Sequence, residues 1–192
     1  GLTGVYKLAS TVNHTCSLSF SGDTFCWGTN SFGQLGIGVL DFPSVPVTVD
    51  YTGDFAHLAA GGGHTCGVDD TGQVLCWGQN DFGQLGDGTN QQSLGPLVVD
   101  SLSGIGSVTV GVGHTCALEN GGEVFCWGAN GYGKLGLGDE ADRLLPEKIP
   151  SFDGVTSLCA GVHFTCAART DGTVYCWGSN MHGQIGDGTF ED

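Results

Sequence analysis

Apolar residues along this chain come in short bursts, and the bursts recur at a fixed interval. Between positions 51 and 100 the runs are "HLAAG" at 57–61, "HTCGV" at 64–68, "VLCWG" at 74–78 and "PLVV" at 96–99. Gly, Asn and Asp fill the gaps between them. Runs of this length, rich in Val, Leu, Thr and Trp and bounded by turn residues, predict β-strands. No 3.6-residue periodicity argues for a helix.

The same four runs return every fifty residues. Cysteines fall at 16, 66, 116 and 166 and again at 26, 76, 126 and 176. Trp follows at 27, 77, 127 and 177, and Asn at 30, 80, 130 and 180. Four strands in about 40–50 residues is the size of one propeller blade. The expected fold is therefore all-β, a β-propeller of four-stranded antiparallel blades. Its repeats cover approximately 1–50, 51–100, 101–150 and 151–192, in a single propeller region over 1–192. The fourth is expected to be incomplete, because the run matching Pro96 would fall beyond Asp192. A helical solenoid of the same period is disfavoured by the 36 glycines, each costing a helix interior about 1 kcal/mol.

Turn chemistry sets the register of the cysteines. Asp70, Thr71 and Gly72 form a three-residue loop, with Gly at the position that favours the left-handed region. Asp69 then faces Gln73, Val68 faces Val74, Gly67 faces Leu75 and Cys66 faces Cys76. The pair is of the non-hydrogen-bonded kind, with Cα atoms about 4.5 Å apart, at the close end of disulfide range. The same count pairs Cys16 with Cys26, Cys116 with Cys126 and Cys166 with Cys176. A cross-strand disulfide in each blade is the favoured reading. Reduced thiols packed in the core and a metal site are its alternatives; the His at 14, 64 and 114 two residues before a Cys keeps the latter open, although zinc knuckles usually space cysteines by two to four. No C-x-x-C occurs, which weakens a redox reading. Cys159 lies outside the series, at the place of Ala59 and Thr109, and is expected to be a buried free thiol.

Charge removes further classes. Twenty acidic residues face five basic ones, a formal net of −15. Lys7, Lys134, Arg143, Lys148 and Arg169 are scattered, whereas phosphate binding needs clusters. Neither a nucleic-acid surface nor docking to an anionic membrane is expected. No apolar run reaches the roughly 18 residues of a membrane span. The chain opens on Gly1 and is expected to be a piece of a longer protein; an open arc, or self-association of a complete short chain, are the alternatives.

The repeats "GGGHTCGVDDTGQVLCWGQNDFGQLGDG" and "GVGHTCALENGGEVFCWGANGYGKLGLG" resemble those of the regulator of chromosome condensation family. That pattern is a Gly-x-x-His-Thr start, an apolar strand, a Gly turn, Trp-Gly, Asn and Gly-Gln-Leu-Gly-x-Gly. The resemblance covers all four repeats and implies a propeller, usually seven-bladed, in the same superfamily as the bacterial β-lactamase-inhibitor propellers. Trp77 lies across its strand from Cys76, so one face should carry sulfur and the other indole. Leu85 is expected to plug between blades. His64 is expected to hydrogen-bond structurally, since the fourth repeat reads "GVHFTC", with Phe164 in its place.

No catalytic constellation and no cofactor or metal motif emerges. The Asp-Gly-Thr loops at 87–89 and 187–189 read as solvated turns, calcium being the alternative. The expected function is a non-catalytic, secreted protein-binding scaffold, extracellular or periplasmic, with a protein partner. Phe32, Phe82, Tyr132 and His182 are the candidate partner contacts, packing under the turn being the competing role. Nucleotide exchange on a small GTPase, which the resemblance implies, is the alternative function; inhibition of a secreted enzyme and glycan binding are others.

Overall fold

The computed structural model describes residues 1–192 and arranges them in four antiparallel sheets. The first holds β1 (Val5–Ser10), β2 (His14–Ser19), β3 (Thr24–Gly28) and β4 (Val47–Thr48). The second holds β5 (Phe55–Ala60), β6 (His64–Asp69), β7 (Val74–Gly78) and β8 (Ser93–Val98). The third holds β9 (Ile105–Val110), β10 (His114–Glu119), β11 (Val124–Gly128) and β12 (Arg143–Lys148). The fourth is three-stranded, with β13 (Val155–Ala160), β14 (Phe164–Arg169) and β15 (Val174–Gly178). Strand order follows chain order within every sheet.

The hairpin register follows the turn. Asp69 N–H donates to the Gln73 carbonyl at 3.0 Å, and Cys66 pairs with Cys76. Gly72 takes φ +83°, a conformation that costs a side-chain-bearing residue about 1 kcal/mol or more. The outer strands differ from the sequence expectation. β8 starts three residues ahead of Pro96 and contains it. A proline is tolerated there because an edge strand has one side of its ladder free.

Blades stack in chain order. The inner strands β1, β5, β9 and β13 pack successively against one another and line one cavity along a common axis. Each interface has its own core. Cys16, Leu18, Cys26 and Leu35 of the first blade meet Phe55, Leu58, Leu75 and Trp77 of the second. Cys66, Val68, Cys76 and Leu85 meet Val108, Ala117 and Trp127 in the same way. Sulfur thus faces the following blade and indole the preceding one. Leu35, Leu85 and Leu135 are fully buried, in the plug position expected of them. Gly86 makes room for this packing: a Cβ there would stand 2.7 Å from Trp127 Nε1.

Cys159 corrects the sequence reading, which buries it; it is exposed. Ala59, its equivalent, packs into the core between the second and third blades. Cys159 occupies the corresponding face of the fourth sheet, over which no other strand of residues 1–192 packs.

Candidate functional site: the axial turn end

Each blade interface is tied by a polar relay. His14 Nε2 lies 2.8 Å from Thr65 Oγ1, His64 Nε2 2.9 Å from Thr115 Oγ1, and His114 Nε2 3.1 Å from Thr165 Oγ1. Each Thr hydroxyl donates onward to a carbonyl of the preceding blade, Gln34, Gln84 or Lys134, at 2.9 Å. That carbonyl also accepts the indole N–H of Trp77, Trp127 or Trp177. Because the hydroxyl proton is committed to the carbonyl, the hydroxyl oxygen must accept from histidine. The imidazoles therefore donate through Nε2. Burial keeps them neutral: it lowers His14 to about 4 and His64 and His114 to about 3. Phe164 fills the same slot in the fourth blade, pressed on Gly161 as His114 is pressed on Gly111.

A second device holds the loop after each Trp. Asn80 Oδ1 accepts the Leu85 N–H at 2.9 Å, while Nδ2 donates to the Thr89 and Gln91 carbonyls at 3.0 Å each. Asn30, Asn130 and Asn180 likewise take the N–H five residues on. The sequence marks these residues only by their spacing. The Asp87 carboxylate accepts from the Thr89 N–H and hydroxyl and from Asn80. Asp187 does the same with Thr189, which holds its carboxyl below the usual range. No three His, Cys, Asp or Glu side chains stand together in a metal-holding group.

Disulfides hold the hairpins. Cys16–Cys26, Cys66–Cys76, Cys116–Cys126 and Cys166–Cys176 are bonded, each with Cα atoms 4.1 Å apart.

On this frame the candidate aromatics are exposed. Phe32 is 38 %, Phe82 45 % and Tyr132 43 % accessible, and His182 is exposed too. Phe82 and Tyr132 stand beside the turns that join the inner strand to the second strand of the next blade. Phe82 lies against Gly113, and the Tyr132 ring packs tilted against His163, with centroids 5.7 Å apart and planes at 48°. The same turns, with Val12, Gly62, Val112 and Val162, line an open cavity at this end of the axis. Val12, Val112 and Val162 are themselves exposed, a valine series that sequence reasoning missed because each is a lone residue in a loop. Partner contact and packing on the turn are compatible for Phe82 and Tyr132: each ring rests one side on the next blade and leaves the other open.

Sheets of this order stacked about an axis define a β-propeller. The chain belongs to the family of the regulator of chromosome condensation (RCC1) repeat, which matches residues 21–68, 71–118 and 121–168, and in a second form 5–34, 55–84, 107–134 and 155–184. Among solved structures, human WBSCR16 superposes with a TM-score of 0.89 at 23 % identity, over 100 % of this chain and 52 % of that one. Yeast RCC1 (Prp20), solved bound to Kap60, gives 0.87 at 23 % identity over 98 % of this chain and 46 % of its own. The ectodomain of the Physcomitrella patens receptor kinase CR4 gives 0.61 at 20 % identity over 97 % and 45 %. The chain thus spans about half the length of these proteins. A comparison with curated protein sequences gave no match. No helix is long and apolar enough to cross a membrane.

Proposed function

We propose that this chain is a non-catalytic protein-binding scaffold that works outside the cytoplasm and grips a protein partner with its axial turn end. One observation carries this reading. Phe32, Phe82, Tyr132 and His182 are exposed at matching places in the four blades, and Phe82 and Tyr132 lie against the turns whose Val112 and Val162 line an open cavity. Rigid, exposed aromatic rings around a central depression are the anchors that interfaces use. The relay and the Asn clamps hold these turns in place without ligand, so little ordering entropy opposes binding. The four disulfides favour an oxidising compartment, and the likeness to a receptor ectodomain is in keeping with it.

The test is affinity capture with the chain as bait, from extracellular or periplasmic fractions, against a variant with all four residues changed to Ala. A partner held by the wild type and lost by the variant, at equal melting temperature, supports the reading. Equal capture by both contradicts it. Acceleration of guanine-nucleotide release from a small GTPase would instead support the exchange-factor alternative.

A further inference from the structure

The repeats are their own control, and the third departs from the others at one turn. In the first, second and fourth blades a Gln side chain closes the turn after the Asn clamp. Its Oε1 accepts the backbone N–H of Phe32, Phe82 or His182, 2.9 Å in each case. The third blade has Lys134 in that place. An ammonium accepts nothing, so Tyr132 has no such bond. Tyr132 instead sits at φ +67°, and only one other non-glycine residue in the chain, Ser151, has a positive φ.

Lys134 also carries its charge inward. The residue is 4 % accessible, and Nζ makes one hydrogen bond, to the Val112 carbonyl at 3.2 Å. Arg143, Lys148 and Arg169 are each paired with a carboxylate; Lys134 and Lys7 are not, and of these two Lys134 is the buried one. The Asp142 carboxylate, which accepts the Asn130 N–H at 2.7 Å, acts on it through space without forming an ion pair. Burial lowers the Lys134 pKa. The turn itself does not require a lysine, because Gln closes the same turn in three other blades. A lost turn bond, a strained tyrosine and an unpaired buried cation at one place point to function. That place adjoins the proposed face: Val112 lines the axial cavity, and Tyr132 packs against His163.

We infer that Lys134 determines what the axial end binds: an apolar segment of a partner protein carrying an acidic side chain, whose carboxylate draws the ammonium from the Val112 carbonyl while the apolar residues seat on Val112, Val162 and Tyr132. The lysine stem is long enough to turn its head outward. In a chain of net charge −15, a single unpaired cation at this end is a local point of specificity and not a general attraction. The inference rests on the axial end being the binding face, and the experiment separates the two.

Random peptides displayed on phage are selected on the wild-type chain. The selected peptides are then titrated against Lys134→Gln, Tyr132→Ala and Phe82→Ala. Lys134→Gln restores the residue of the other three blades, so its melting temperature should equal or exceed that of the wild type. Peptides enriched in Asp or Glu among apolar residues, weakened about tenfold or more by Lys134→Gln and also by Tyr132→Ala, bear the inference out. Peptides that need Tyr132 or Phe82 but show no acidic enrichment and bind Lys134→Gln equally overturn it and leave the binding face standing. Peptides indifferent to Tyr132 and Phe82 overturn both. A Lys134→Gln variant that melts clearly below the wild type shows Lys134 to be structural, and also overturns it.

Discussion

His64 and Phe164 stand at the same place in two blades and behave oppositely toward protons. His64 is buried and neutral, donating to Thr115; Phe164 cannot titrate. Histidines held at about 3 or 4 in the folded chain return to about 6.5 on unfolding. The unfolded state then binds more protons, so stability is full above pH 6.5 and falls as the pH drops toward 4. Each such group adds up to about 1.4 kcal/mol per pH unit inside that window. Thermal melts at pH 7 and pH 5 should therefore show a lower Tm at pH 5. Changing both His64 and His114 to Phe, as the fourth blade already does, should shrink the difference; an unchanged difference would place the proton uptake elsewhere. The neutral state of these residues was not legible from sequence. Their partners are 51 residues away and are reached only through blade stacking.

Hairpins were legible, because their register is a matter of local parity. Counting outward from Asp70-Thr71-Gly72 places Cys66 opposite Cys76 with no knowledge of the rest of the chain. Replacing both cysteines with Ala should cost about 2–3 kcal/mol by loop-closure entropy, read as a shift of the denaturation midpoint. A null shift would mean that the bridge stores as much strain as it saves entropy. The outer strands were less legible: β8 runs through Pro96, which a local reading takes as a strand start. The Trp series tests the stacking of elements directly. Trp127 is fully buried and donates to the Gln84 carbonyl, whereas Trp27 is only half-buried. Trp127→Ala should cost about 3–5 kcal/mol and Trp27→Ala clearly less. Equal losses would contradict the assignment of the indole face to the preceding blade.

At the scale of the whole molecule, the fifty-residue period made the propeller plain but not which face each residue meets. Cys159 shows the limit. Its position in the strand is readable, and its exposure depends on what packs over the fourth sheet. The axial face has the same character. Phe32, Phe82, Tyr132 and His182 are readable as a series, but the valines that line the cavity belong to loops whose meeting point is set by four blades at once. The frame beneath is fixed by neutral relays, Asn clamps and disulfides. Binding at the axial end should accordingly be lost without loss of stability. The measurement is the Kd of a captured partner for the wild-type chain and for the variant with Phe32, Phe82, Tyr132 and His182 all changed to Ala, beside the Tm of each. A Kd weakened at least about a hundredfold, as removal of several anchors requires, with Tm unchanged within a few degrees, is expected. An unchanged Kd, or a Tm that collapses with the binding, would contradict it.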